Sequence, residues 1–442
     1  MNFSIFIKNS YLVRGLRPLT IMACIFSCLL NSACGNSSLL QSQNFKAIPS
    51  RVDTVIESNN AFPEIEFDTE VRIPVEPEYP ILTVERKALT IDEIQGYILL
   101  LGGNGEELYT NYELSRKEWG RILEQAEKDR DHLHTLTSKL DYLREQYRNA
   151  ALAPQNENIK LVNITQGKQV NLYFKGTGDG ISALSVILGG NKFTYFRELN
   201  STILGKDLCE DYAKDPKAGT DVEWLMPGNP EITYDEAYKH AEEWLKSFEI
   251  DLTLYFAEPC SIITNRVFKT TGWKFVFTRK SGELQAQFKD GAWCYINPNA
   301  PPEIGAPWSQ EFGIMVIDKR GLCELWWQGA SKVKQKSGTS SLLDFDSIQQ
   351  NITNQLSKMY VDEQEYKHEI RVTLIELGTS MIAVKNHGDI GEYTPTWYIT
   401  YENHLVNDSS EIIEMEQIMF NAIDGNYIEP RVEQEKLAKI NN

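Results

Sequence analysis

Apolar residues recur at helical steps in three stretches of the chain and at strand steps through much of the rest. Trp119, Ile122, Ala126, Leu133, Leu136, Leu140, Leu143 and Tyr147 stand three or four residues apart, with Asp129 interrupting the stripe. That spacing predicts a helix or helical hairpin over residues 115–150, its stripe a packing face. Ala237, Ala241, Trp244, Leu245 and Phe248 predict a helix over 234–249. Phe345, Ile348, Ile352, Leu356 and Met359 predict another. Helix starts are marked by Thr90-x-x-Glu93, Ser115-x-x-Glu118 and Thr233-x-x-Glu236. In such capping boxes each side chain satisfies an otherwise free backbone N–H. Leu114 and Trp119 are placed as a hydrophobic staple across the second start.

Strand signals dominate after Leu161. Residues 181–188 and 192–199 flank Gly189-Gly190-Asn191, a hairpin signature. Gly176-Thr177-Gly178-Asp179-Gly180 resembles a phosphate loop, but strand-like residues follow where a dinucleotide fingerprint needs a helix, so it reads as a turn. From about residue 230 the order of elements repeats loosely: a helix, several strands, a Trp-bearing strand, then a strand that breaks at an aspartate. The repeat sets Ile314-Met315-Val316-Ile317-Asp318 beside Met419-Phe420, Ala422-Ile423 and Asp424. One helix over one face of an antiparallel sheet is an α+β unit. Between Asn36 and Glu85 the chain is polar and interrupted by Pro63, Pro74, Pro77 and Pro80. This stretch is expected to be a tether with some extended segments.

The net charge of -18 argues against nucleic acid, which is bound through Lys and Arg. The first 33 residues differ from the rest. Lys8, Arg14 and Arg17 precede an apolar run from Leu19 to Leu30 that ends at Ser32-Ala33-Cys34-Gly35, and no acid occurs there. This is the layout of a secretory signal, with too short an apolar run to span a bilayer. Small residues before a cysteine resemble a bacterial lipobox, which makes Cys34 the expected lipid attachment site. The alternative is plain secretion with cleavage after Gly35. Beyond Cys24, Cys28 and Cys34 remain Cys209, Cys260, Cys294 and Cys323, too widely spaced for a C-x-x-C redox or zinc pattern. An exported chain permits disulfides between them, or four buried free thiols.

Candidate chemistry is sparse. His132 and His134 point to different helix faces. His368-Glu369 lacks the second histidine of a zinc-protease helix, and His240, His387 and His404 read as solvated or structural. No G-x-S-x-G, P-loop, EF-hand or zinc spacing occurs, and no catalytic residue, metal or cofactor is expected. A carboxylate pair acting on polysaccharide is not marked by any two residues. Trp326-Trp327 stand together in a strand, so one is expected to face outward and to offer a partner-binding residue; the competing reading packs both. Asn421 and Asp424 are too few acids for a calcium loop, and Asp424-Gly425 reads as a tight turn.

Three features together resemble a Firmicute lipoprotein family without an assigned function. They are the exported acidic chain, the Ser-x-x-Glu helix ending in Tyr147-Arg-Asn-Ala-Ala-Leu-Ala-Pro154, and Pro395-x-Trp397 followed by Asn421-Ala422-Ile423-Asp424-Gly425. The C-terminal units of that family are similar to PepSY domains and to the YycH and YycI regulators, which act by binding proteins. Trp397, Asn421, Asp424 and Gly425 are then a structural signature. The expected fold is α+β, a helical arm followed by tandem PepSY-like units, each an antiparallel sheet covered by a helix. The expected boundaries are a signal peptide over 1–33, a tether over 34–85, the arm over 86–158, and units over 159–335 and 336–442. The expected function is that of a lipid-anchored protein on the outer face of the cell membrane, non-enzymatic, binding and modulating an envelope or cell-surface protein. The alternative is a protein that binds or hydrolyses wall polysaccharide.

Overall fold

The computed structural model describes residues 48–57, 63–74, 79–105, 107–128, 137–176, 180–198, 201–205, 226–265, 268–288, 295–296, 310–360, 367–384, 389–406 and 411–430. In chain order, three strands come first: β1 (Arg51–Ile56), β2 (Glu64–Arg72) and β3 (Pro80–Arg86). Helix α1 (Ile91–Leu100), strand β4 (Tyr109–Asn111) and helices α2 (Arg116–Lys128) and α3 (Thr137–Asn149) follow. Next are β5 (Glu157–Asn158), β6 (Gln169–Lys175), β7 (Ile181–Ile187), β8 (Lys192–Phe196), β9 (Ser201–Gly205) and helix α4 (Tyr234–Ser247). Then come β10 (Thr253–Thr264), β11 (Phe268–Thr278), β12 (Lys280–Ser281), β13 (Leu284–Gln285), β14 (Tyr295–Ile296), β15 (Phe312–Asp318), β16 (Gly321–Gln328) and β17 (Ser331–Thr339). Helix α5 (Phe345–Met359) precedes β18 (Lys367–Ala383), β19 (Ile390–Val406), β20 (Glu411–Asn421) and β21 (Tyr427–Pro430).

The chain forms two compact units, each discontinuous in sequence. One takes the described residues of Met1–Pro74, Ser341–Leu377 and Thr396–Ile428; the other takes those of Val75–Ser340, Gly378–Pro395 and Glu429–Asn442.

In the first unit β1 pairs antiparallel with β2, and β2 runs parallel to β18. β18 pairs with β19, and β19 pairs antiparallel with β20 in unbroken register from Thr396↔Asn421 to Val406↔Glu411. Helix α5 starts at Asp344, whose carboxylate accepts from the Ser347 N–H at 2.9 Å. It buries Phe345, Ile348, Ile352 and Leu356. The Phe345 ring meets Trp397 edge-on at 5.5 Å.

The second unit centres on ten strands in the order β5-β4-β6-β7-β8-β16-β15-β11-β10-β9. Alternation along β15 divides its side chains: Met315 and Ile317 join the larger core, and Ile314 and Val316 lie on the opposite face. Helices α1 and α4 close the larger core with Ile94, Tyr97 and Ile98, and with Ala237, Ala241 and Leu245. All three capping boxes form; at Thr90 and Thr233 the hydroxyl accepts from the N3 backbone N–H while the N3 glutamate accepts from the cap. At Ser115 the same pair of bonds spans 2.7 and 3.3 Å. Helices α2 and α3 pack through Trp119, Ala126, Leu140 and Leu143, with Leu114 against them. Elsewhere in this unit β3 pairs with β17 and with the start of β19, around Leu82, Val84, Met381 and Tyr393.

This mostly β architecture corrects the expected tandem PepSY-like units with a helical arm. The sheets are too extensive, and among the described strands two pairings, β2 with β18 and β14 with β18, are parallel. The region read as a helical arm also supplies β4 and β5, which are too short to show strand periodicity. The expected tether contributes β1, β2 and β3. Its prolines fall at strand boundaries: Pro63 just precedes β2, Pro74 follows it, and Pro80 opens β3, where no ladder N–H is lost. Alternate residues of β2, among them Ile65, Phe67 and Val71, are buried.

Candidate functional site

A cluster of polar and titratable side chains in the first unit lies between the end of α5 and the β19–β20 pair. Tyr401 and Glu416 are opposite each other across the two strands. Tyr360, the residue that caps α5, reaches both. Its hydroxyl lies 2.8 Å from the Tyr401 hydroxyl and 2.8 Å from Glu416 Oε2, to which Tyr401 also donates at 2.8 Å. One carboxylate thus gathers two phenols. Burial first, and then the neighbouring carboxylate, push both phenols above their ordinary range, so they remain donors at physiological pH. The His368 ring packs on Tyr360 at 5.0 Å, and its Nδ1 lies 3.0 Å from Asn403 Oδ1.

On the opposite face of the same two strands His404 sits between carboxylates. Its Nδ1 lies 2.7 Å from Glu411 and its Nε2 3.0 Å from Glu402. Burial pulls the imidazole down, but the two carboxylates outweigh it and raise its pKa. Both ring nitrogens therefore have a reason to carry protons. Beyond this clasp Ile413 and Met415 are 48% and 61% exposed on the same face, and Ile412, 40% exposed, lies on the other, all among glutamates.

Among the described residues of the second unit two ion pairs are buried on both sides, and both tie strands together. Arg197, just past β8, donates to Asp318 through Nη1 at 3.0 Å and Nη2 at 2.6 Å. Asp318 also accepts from the Arg320 N–H at 2.7 Å, closing the β15–β16 turn. Arg279, at the end of β11, pairs with the fully buried Glu311 and with Asp251 at 2.8 Å. Glu311 further accepts from Trp327 Nε1 at 3.0 Å and from Ser331 Oγ at 2.5 Å. Among the described residues, no three His, Cys, Asp or Glu side chains gather as a metal ion would require.

The residues singled out by sequence scatter. Trp327 is buried in the larger core, with Phe193 edge-on at 5.8 Å. Trp326 lies on the other face, partly exposed, edge-on to Phe312 at 5.3 Å. Trp397 is buried against α5. Asn421, Asp424 and Gly425 build one turn: Asn421 Oδ1 accepts from Ile423 N and Asp424 Oδ1 from Asn426 N, both at 2.9 Å. Gly425 has φ +73°, and Asn351 Nδ2 donates to its carbonyl at 3.0 Å. Cys34, Cys209 and Cys294 lie outside the described residues, as does most of the 176–180 turn. Cys260 and Cys323 are free and buried. Strands β11 and β15 stand between their strands, a separation of roughly 14 Å that no disulfide spans. Sequence reasoning missed the Tyr360–Tyr401–Glu416 cluster, whose members lie far apart along the chain and carry no motif.

Among the described residues no helix is long and apolar enough to cross a membrane. No protein-family model matches the chain, and no curated protein is similar to it. A solved structure of an uncharacterized protein from Eubacterium rectale is similar over 87% of this chain and 94% of its own, with 14% identity and a TM-score of 0.37. A likeness at that level carries no argument about activity or partner.

Proposed function

We propose that the chain is a lipid-anchored extracytoplasmic protein that binds another envelope or cell-surface protein and modulates it. The observation that carries this reading is the exposed pair Ile413 and Met415 on one face of β20, with exposed Ile412 on the other face, among Glu411, Glu414 and Glu416. Apolar side chains grouped on a surface and rimmed by charge are characteristic of protein contact. The leader ending at Cys34 supplies the address. The buried ion pairs have their partners within the fold, so their chemistry serves stability.

Crosslinking in cells followed by mass spectrometry tests the binding role. Recovery of a defined protein partner is expected; recovery of wall glycan alone would overturn the reading in favour of a polysaccharide ligand. Metabolic labelling with a fatty acid tests the anchor. Label in the wild type that disappears in Cys34→Ala is expected, and an unlabelled wild type would sink it.

A further inference from the structure

We infer that the outer edge of β20 is a strand-addition site for an extended, basic segment of the partner protein. The inference rests on the protein-binding reading and specifies its surface and chemistry.

The first observation is backbone direction. At Asn421 the N–H donates to Asn426 O and the carbonyl accepts from Gly425 N, so both groups point away from β19. Direction alternates along an antiparallel strand. The β19–β20 register has no break. The outward groups therefore recur at Met419, Gln417, Met415, Ile413 and Glu411. Strand β21 covers this edge only at Met419 and Phe420. At Met415 and Ile413 no strand pairs with the edge among the described residues.

The second observation is that this edge lacks the protections of another edge in the molecule. Strand β17 pairs with β3 alone among the β17 ladders, breaks register twice, and carries Lys332, Lys334 and Lys336. Lysines and bulges discourage strand addition. β20 has neither over Glu411–Glu416; instead Glu411, Ile412, Ile413, Glu414 and Met415 are all exposed there.

The third observation sets the occupant. Ile413 and Met415 share one face, and Ile412, Glu414 and Glu416 the other. A segment added here sets its alternate residues against Ile413 and Met415, which selects apolar side chains. Its other residues meet Glu414, the exposed acid on that face, which selects Lys or Arg there. A second copy of the same strand would bring its own three glutamates to the seam, and like charges placed across strands oppose pairing. The His404 clasp on Glu402 and Glu411 keeps the end of the strand pair in register. The occupant is thus an alternating apolar–basic segment, held by main-chain hydrogen bonds as in other strand-addition complexes.

The test uses the full chain and a fluorescent peptide of alternating valine and lysine, followed by anisotropy. Saturable binding is expected, weaker by about tenfold or more for a valine–glutamate peptide. Met415→Pro removes an outward N–H without touching the β19 ladder and should abolish binding. Glu414→Lys, a surface change with no demand on folding, should weaken it about tenfold. Equal binding of both peptides, or full binding by both variants, would overturn the inference. So would a dimer in sedimentation that Met415→Pro dissociates, since the edge would then belong to a second copy. Crosslinking in cells separates the two levels: a protein partner recovered equally with Met415→Pro overturns the edge but leaves the binding role, whereas no protein partner at all overturns both.

Discussion

Arg197 and Asp318 are joined by two parallel hydrogen bonds in the interior, at 3.0 and 2.6 Å, across 121 residues of sequence. The arginine follows β8 and the aspartate ends β15, so the pair links strands that flank β16. Burial alone would raise the Asp318 carboxyl; the Arg197 bonds and charge, with Arg320 beside them, hold it below the usual carboxylate range. Such a group contributes stability above its unfolded pKa, and the contribution is lost as pH falls through the folded value. Arg197→Met should cost about 1.5–3 kcal/mol in urea unfolding at neutral pH, because the buried carboxylate loses two charge-assisted hydrogen bonds and keeps only those from Arg320. The cost should shrink as Asp318 protonates below about pH 4. A variant as stable as the wild type at neutral pH would show that the pair is dispensable.

Two buried tryptophans separate burial from hydrogen bonding. Trp327 donates to Glu311, whereas the Trp397 indole N–H has no hydrogen-bond partner among the described residues. Trp327→Phe should cost about 1–3 kcal/mol beyond its lost volume, since Glu311 loses a donor. Trp397→Phe removes a buried N–H without breaking a bond and should cost less. Thermal unfolding of the two variants reads the difference, and equal losses would contradict it.

Much of the local structure is legible in the sequence, and the long-range arrangement is not. The capping boxes at Thr90, Ser115 and Thr233 use residues three apart, so their signal is complete within one helical turn. The Gly189-Gly190 hairpin is equally local. The role of 51–86 is hidden for a physical reason. Proline density suggests a linker when counted, but it matters only where each proline falls, and here each described one lies at or beyond a strand end. Asp318 and Asp424 look equivalent as breaks after apolar strands, yet one is buried against Arg197 and the other is exposed. Only the partner 121 residues away distinguishes them. That no strand among the described residues pairs with the outer edge of β20 at Ile413 and Met415 is unreadable in the sequence, because edges depend on which strands do not arrive.

Gly425 illustrates a demand that is partly legible. The Asp-Gly pair signals a turn, and φ +73° there suits glycine. A Cβ would also stand 2.5 Å from Asn351 Nδ2 and 2.7 Å from Leu343 Cδ2, contacts that no sequence motif announces. Gly425→Ala should therefore destabilise by more than about 1 kcal/mol. Asp424→Ala, at an exposed position, should cost no more than about 1 kcal/mol through its bond to Asn426. Chemical denaturation ranks the two, and the reverse order would refute the account.

Cys260 and Cys323 lie within one apolar cluster with Val316 and Ile262. Burial pushes both thiols well above their ordinary range, and the carboxylates of Glu258 and Asp318 add to this. Little thiolate is present at neutral pH, and solvent does not reach it. Alkylation of the native chain should spare both sites, and alkylation in denaturant should modify both. Peptide mass spectrometry reads the pattern. Modification of either thiol in the folded protein, or a Cys260–Cys323 disulfide, would contradict the strand order.

Glu324 supplies the opposite pH signature from Asp318. In the register across β10, β11, β15 and β16, Glu258 faces Lys274, Lys274 faces Val316, and Val316 faces Glu324. Lys274 Nζ lies 2.8 Å from Glu258, so its charge is already engaged. Burial pushes the Glu324 carboxyl up to about 7, with Lys274 offsetting only part of the rise. A carboxyl raised in the folded state favours folding when protonated, and the advantage is lost as pH rises through the folded value. Stability from this residue should therefore fall as pH rises from its unfolded value, about 4.5, to about 7. Glu324→Gln should be nearly neutral at about pH 4 and more stable than the wild type by about 1–3 kcal/mol at about pH 8. Urea unfolding at the two values measures it, and a stability difference independent of pH would show that Glu324 is ionised in the fold throughout.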